Sequence, residues 1–193
     1  MAEVNFGSDG DFSDLSMIYK VNANLANELG NLCQRTLSMV FKNCDKAVPE
    51  NVGPFTAEDE VLLDSARGLR EKAGKAISEQ AIQKYVEAMV GMIWETNKYI
   101  DNMAPWALKK TDPERMATVL YVIMEVLRYS AILYQPLIPD SANKILDQLT
   151  VPQDERSFAY LEDAYRIKGG APMPKPEGVF PRIDVPTEEL IET

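Results

Sequence analysis

The stretch NANLANELGNLCQR, residues 22–35, places four asparagines and an arginine on what otherwise reads as an amphipathic helix. Asparagine is a poor helix-interior residue, because its short amide competes for backbone hydrogen bonds. At about 100° per residue, Asn24, Asn27, Asn31, Arg35 and Ser38 fall in one narrow stripe, with Leu25, Leu29 and Leu32 turned away from it. Asn31 and Arg35, spaced i and i+4, can address one ligand together. The amide offers a donor and an acceptor, and the guanidinium offers a planar donor fork and a stacking face. That pair suits reading the edge of an unpaired base. A solvated polar face, or amides bonded to a neighbouring helix, fits the same spacing. Gly30 costs about 1 kcal/mol of helix propensity relative to Ala, but leaves room for something to approach the backbone. Asn22 projects to the apolar side and is expected to be a buried, hydrogen-bonded amide.

The two tryptophans read differently. Trp94 continues the apolar set Val86, Val90 and Ile93 and is expected in the core, whereas Trp106 follows Pro105 in a helix connection with Lys109 and Lys110 close behind. An aromatic ring with nearby cations is a stacking platform for a base; a tryptophan plugging the end of a helical bundle has the same local sequence. Other chemistry is harder to place. The chain has no histidine, which excludes His-based triads, His general bases and His-containing metal sites. Asp9, Asp11 and Asp14 of DGDFSD hint at calcium, but the EF-hand glycine and terminal glutamate are missing at the required spacing. Cys33 and Cys44 would lie about 16 Å apart on one helix, too far for a disulfide. There is no Walker-type phosphate loop and no CxxC pair.

The elements that must carry these residues are helices. The chain has 193 residues, 46% hydrophobic and 26% charged, enough for one domain with a real core. Its net charge of −10 counts against broad electrostatic binding to nucleic acid, so any such binding must use a small local site. No apolar run is expected to reach the ~20 residues of a membrane span, and MAEVNFGSDGDF lacks the features of a signal peptide. Ser13 is a plausible N-cap for a helix over about 14–43, Thr56 for one over about 57–74, and Ser78 for a third carrying Ile82, Val86, Met89, Ile93 and Ile100. Asp112 with Pro113 starts a fourth helix that runs to about Tyr134, and a short fifth follows QPLIPD. Beyond about 150, DERSFAYLEDAY suggests a short helix, and KGGAPMPKPEGVFPRIDVP an irregular strap anchored by Val179, Phe180 and Ile183. The expected fold is all-α: a bundle of about five helices over 14–150, a linker at 1–13, and a C-terminal extension at 151–193 packing on the bundle.

Taken in order, FGSDGDFS, NANLANELGNLCQR, YIDNMAPWALKK, LIPDSANKI and GVFPRID resemble the C-terminal part of methionyl-tRNA synthetases, from just after the catalytic core through the helical anticodon-binding domain. The resemblance covers nearly the whole chain, and LANELGNLCQR together with APW is its most specific part. It implies that Asn31 and Arg35, from the NLxxR element, contact the first anticodon base, a cytosine, and that Trp106 of the PW element stacks in the same place. The implied partners are the anticodon loop of methionine tRNA, read at CAU, and the catalytic domain of the same synthetase, with no membrane. HIGH and KMSKS signatures and a zinc knuckle are absent from these residues, so ATP, methionine and, in some members, zinc would belong to the catalytic half. No cofactor and no catalysis are expected of this chain alone. A cytoplasmic location follows, or an organellar one if a targeting peptide lies upstream. The corresponding domain of another class I synthetase, or a helical protein-interaction module, is the alternative.

Overall fold

A computed structural model of the chain describes residues 13–184 apart from residue 51. The expected linker at 1–13, all but its last residue, and the Asp9 and Asp11 of the calcium hint lie outside the described residues. The first element is a long rod. Ser13 caps it, its Oγ accepting from Ser16 N at 3.3 Å, and α1 (Asp14–Lys20) passes through a π-helical stretch (Val21–Gly30) into α2 (Asn31–Asn43) without a break. The expected helix over 14–43 is therefore present, but the asparagine-rich stretch has i→i+5 hydrogen bonding. Gly30 accommodates this register: a Cβ there would sit 3.0 Å from the Leu25 carbonyl oxygen.

Helices α3 (Ala57–Ser78), α4 (Ile82–Met103), α5 (Pro105–Thr111), α6 (Pro113–Tyr134) and α7 (Pro139–Gln148) follow. Thr56 caps α3 in a reciprocal box with Asp59. Ser78 does not start a helix. It ends α3 with its hydroxyl donating to the Lys75 carbonyl, and the chain turns at Gln80, φ 56°, before α4 begins at Ile82. Asp112 and Pro113 start α6 as expected, the Asp112 carboxylate accepting from Arg115 N at 2.9 Å. Counting the rod as one, the described residues form five helices and the short α5, an all-α bundle.

Helix α6 is the central element, with nearly every side chain from Met116 to Tyr134 buried. Contrary to the sequence expectation, it is long and apolar enough by composition to cross a membrane, but its surface is enclosed by the rest of the bundle. Buried within it are Glu125 and Arg128. The Glu125 carboxylate accepts from Arg128 Nε and Nη2 at 3.1 and 2.9 Å and from the Ile167 amide at 2.6 Å. Arg128 also donates to the carbonyls of Tyr160 and Glu162. These bonds tie the chain after α7, which is not one helix but three short 3-10 turns at Gln153–Glu155, Phe158–Tyr160 and Asp163–Tyr165.

Further along, the Ala171 carbonyl accepts from Val48 N, and the Gly170 amide donates to Val48 O, both at 2.9 Å. Val179 is buried and Phe180 packs on Gly30, where a Cβ would lie 3.4 Å from its ring. What approaches the rod backbone at Gly30 is thus the strap's own phenylalanine. Asn22, buried as expected, pairs with the Ile183 backbone in both directions, donating to its carbonyl at 2.8 Å and accepting from its amide at 2.9 Å.

Trp94 departs from expectation: it is 58% exposed. The buried face of α4 is Tyr85, Met89, Met92, Ile93, Thr96, Tyr99 and Ile100. Val86 and Val90 lie on its margin, so a core phase drawn through them is rotated towards solvent, and Trp94 stands opposite the true core. Removing Arg128 (Arg128→Ala) strands the Glu125 carboxylate in the core and should cost about 3–5 kcal/mol in urea unfolding. Trp94→Ala should change stability by no more than about 0.5 kcal/mol, as a surface substitution does.

Candidate nucleic-acid interface

Two residues expected to act together from distant parts of the sequence meet at one end of the bundle. The Arg35 guanidinium lies over the Trp106 ring, 5.4 Å from its centroid, and donates from Nη2 to Asp101 Oδ1 at 2.9 Å. Arg35 and Asp101 are both largely exposed, and Trp106 is 48% exposed. The cation beside Trp106 is therefore Arg35 of the rod; Lys109 and Lys110 are exposed further along α5. A guanidinium held over an indole by the cation–π attraction, with one N–H given to Asp101, keeps most of its five N–H donors available.

Asn31 opens α2, one turn before Arg35, where the helix has returned to α register. It is exposed, and among the described residues its amide has no hydrogen-bond partner. Asn31 and Arg35 thus present an uncommitted amide and a guanidinium placed over Trp106 on adjacent turns of one face. The π-helical stretch alters the rest of the stripe. Its wider turns advance each residue by a smaller angle, leaving Asn27 exposed beside Asn31 but turning Asn24 to a half-buried position.

The corner that places Trp106 is built locally. Ala104 ends α4 in the left-handed region, φ 44° and ψ 56°, and the chain re-enters a helix at once with buried Pro105 in its first turn. That abrupt re-entry sets the indole on the outer side of the corner, neither in a loop nor plugging the bundle. Below it lies a buried polar node. Asp59, with no exposed surface, accepts from Thr56 N at 2.9 Å, from the Tyr99 hydroxyl at 2.5 Å, and from both terminal nitrogens of Arg115 at 2.5 and 2.7 Å. Arg115 Nη2 also reaches Met103 Sδ at 3.6 Å. One carboxylate so joins the start of α3, the last turns of α4 and the start of α6. Burial pushes the Asp59 carboxyl up, but the hydrogen bonds from Arg115, Tyr99 and the Thr56 amide outweigh it and hold the group below the usual aspartate value. Burial, then the bond to Asp59, raises the Tyr99 phenol well above its ordinary range, so it stays a donor.

Reading residues singly could not have found Asp101. It lies five positions before Trp106, but its partner Arg35 comes from another helix, and only the folded arrangement joins them. Glu28 and Asn97 form a similar cross-link, the Asn97 amide donating to Glu28 Oε2 at 2.8 Å. No group of three or more Cys, Asp or Glu that could hold a metal occurs among the described residues.

The comparisons with known proteins point one way. A family model described as the anticodon binding domain of methionyl tRNA ligase matches residues 48–191. The methionine–tRNA ligase of Rhizobium meliloti is 47% identical over 186 residues, covering 96% of this chain, and that of Brucella suis 48% over 182 residues. The crystal structure of the apo form of Mycobacterium tuberculosis methionyl-tRNA synthetase superposes with a TM-score of 0.90 at 44% identity, over 95% of this chain and 37% of that one. This chain spans only about 36% of the length of the Rhizobium relative.

The Asp59 node makes its own prediction. Asp59→Asn should destabilise the fold by about 3 kcal/mol or more, since it leaves Arg115 without its carboxylate. Because the folded pKa is depressed, the wild-type contribution is complete above the unfolded value near ~3.9 and is lost as pH falls through the lower folded value. Thermal unfolding at pH 7 and at pH 3 should show the gap between wild type and Asp59→Asn narrowing on acidification.

Proposed function

The chain belongs to the methionyl-tRNA ligase family as its anticodon-binding domain, and on that premise we propose that it recognises the CAU anticodon of methionine tRNA at the Arg35–Trp106 platform. The observation that carries this reading is the Arg35 guanidinium over the half-exposed Trp106 ring, 5.4 Å from its centroid, beside the uncommitted Asn31 amide. The first anticodon base, a cytosine, is unstacked from its neighbours and seated against the indole. Its ring carbonyl and nitrogen accept hydrogen bonds, and its exocyclic amine donates one; the Arg35 fork and the Asn31 amide complement that edge. Asp101 holds the guanidinium at the right height by one charge-assisted hydrogen bond.

The site recognises and carries out no chemistry of its own. Ligation of methionine to its tRNA, the activity in the relatives' name, is proposed for a full-length protein in which such a domain works with a catalytic domain. ATP, methionine and any zinc would be held there. A cytoplasmic setting fits the bacterial relatives. With a net charge of −10, the domain should bind weakly and with a shallow dependence on salt, because few phosphates are neutralised.

The test compares CAU with UAU anticodon stem-loops bound to wild type and to Asn31→Ala, Arg35→Ala and Trp106→Ala. Wild type should prefer CAU. Losing the stacking ring should cost about 1–3 kcal/mol, and Asn31→Ala and Arg35→Ala should lose most of the CAU preference. Asn24→Ala, at a half-buried position outside the exposed pair, should keep it. If every variant weakened both stem-loops equally, Arg35 would be a backbone contact and the base-reading proposal would fall.

A further inference from the structure

We propose that Trp94 is a second stacking platform on the same face, taking a further nucleotide of the anticodon loop beyond the one seated at Trp106; this rests on the function proposed above. The indole has more exposed surface than Trp106, and it stands directly opposite the buried side of α4. Asp101 follows seven residues later on the same helical line, within about 20° and about 10 Å along the axis. Exposed Lys98 lies between them on the adjoining line. The outer stripe of α4 therefore runs from Trp94 past Lys98 to Asp101, and so to Arg35 and Trp106.

The neighbouring rod supports the continuity. Two cross-links, Asn97 to Glu28 and Arg35 to Asp101, fix the rod alongside this stripe. Asn27, exposed and adjacent to Glu28, borders the same seam. One turn before Trp94, Gly91 has no atom within 4 Å of where a Cβ would lie. That opening lies beside the line of Trp94, and neither the indole nor any neighbouring element covers it.

The surroundings favour a base over a protein surface. A protein partner would need a contiguous apolar patch, whereas the outward residues of α4 around Trp94 are Glu87, Glu95, Lys98 and Asp101 with half-buried Val90, and exposed Val61 of α3 stands across a groove from it, beyond Glu95 and Lys98. A single flat ring among charges offers a π-face, which every base can stack upon. Glu87 and Glu95 oppose a grip on phosphates, so the contact is stacking with at most one cation, Lys98, to assist. Such a platform holds the loop without reading its sequence.

That property separates it from the cytosine-reading residues. Trp94→Ala should weaken CAU and UAU stem-loops by the same factor, about tenfold, leaving their ratio unchanged, and Trp94→Phe should restore most of the affinity. In Trp106→Phe, where Trp94 is the sole tryptophan, adding the CAU stem-loop should quench its emission. If Trp94→Ala left both affinities at the wild-type value while Trp106→Ala reduced them, the second platform would be refuted and the proposed function would stand. A shift in the CAU-to-UAU ratio in Trp94→Ala would also refute it, because Trp94 would then help to read the first base. If neither tryptophan affected binding, both readings would fall together.

Discussion

The Asp59 carboxylate is the interaction on which the site end of the bundle depends. A charged carboxyl with no exposed surface is tolerable only when its lone pairs are taken up, and Asp59 is satisfied from three helices at once. Each donor fixes something the site needs. The Thr56 amide closes the N-terminus of α3; Tyr99 sets the rotation of α4 two residues before Asp101. Arg115 sets the start of α6 and, through Met103, supports the residue preceding the left-handed corner at Ala104. The positions of Asp101 and Trp106 relative to the rod follow from that one node. Apolar packing alone would allow α4 to slide or turn by a fraction of a residue, whereas hydrogen bonds to a buried charge would not.

The same logic recurs wherever the strap is held. Helix α6 is so apolar that its packing carries little positional information, and Glu125 and Arg128 supply it by holding the Ile167 amide and the Tyr160 and Glu162 carbonyls. At the far end Asn22 grips both backbone groups of Ile183, and Phe180 fills the space over Gly30. The asparagine-rich rod thus divides its amides. One anchors the strap, one opens α2 beside Arg35, and the π-helical register between them separates Asn27, facing out, from Asn24, half-buried. A straight α-helix would have kept those two amides on a single stripe.

Much of this was legible in the sequence where the cause is local. Ser13, Thr56 and the Asp112–Pro113 pair announce helix starts through their own side chains, and the structure uses them so. Ser78 misled because a serine can end a helix by donating to a carbonyl as well as start one by accepting. Trp94 misled because Val86 and Val90 are marginal on α4, and periodicity taken through marginal residues shifts the whole face. The π-helical stretch is not visible in residue types alone; it brings the Leu25 carbonyl oxygen to 3.0 Å from where a Cβ at position 30 would lie, a close approach that Gly30 eases. Asn31, Arg35 and Trp106 could be picked out singly, but the placement of Arg35 over Trp106 and its bond to Asp101 join three helices. No spacing along the chain encodes them.

On the proposed function, the three-helix corner above Asp59 holds Trp106 as the seat for a cytosine, with Arg35 and Asn31 at its edge. The most direct measurement is the emission of Trp106 in a Trp94→Phe chain, where it is the only tryptophan, titrated with anticodon stem-loops bearing CAU, UAU or an abasic first position. Stacking of a base on the indole predicts quenching that saturates at the lowest concentration for CAU, at a higher one for UAU, and is largely lost for the abasic loop. Equal quenching by all three, or none by CAU at concentrations where binding is complete by another readout, would contradict the account.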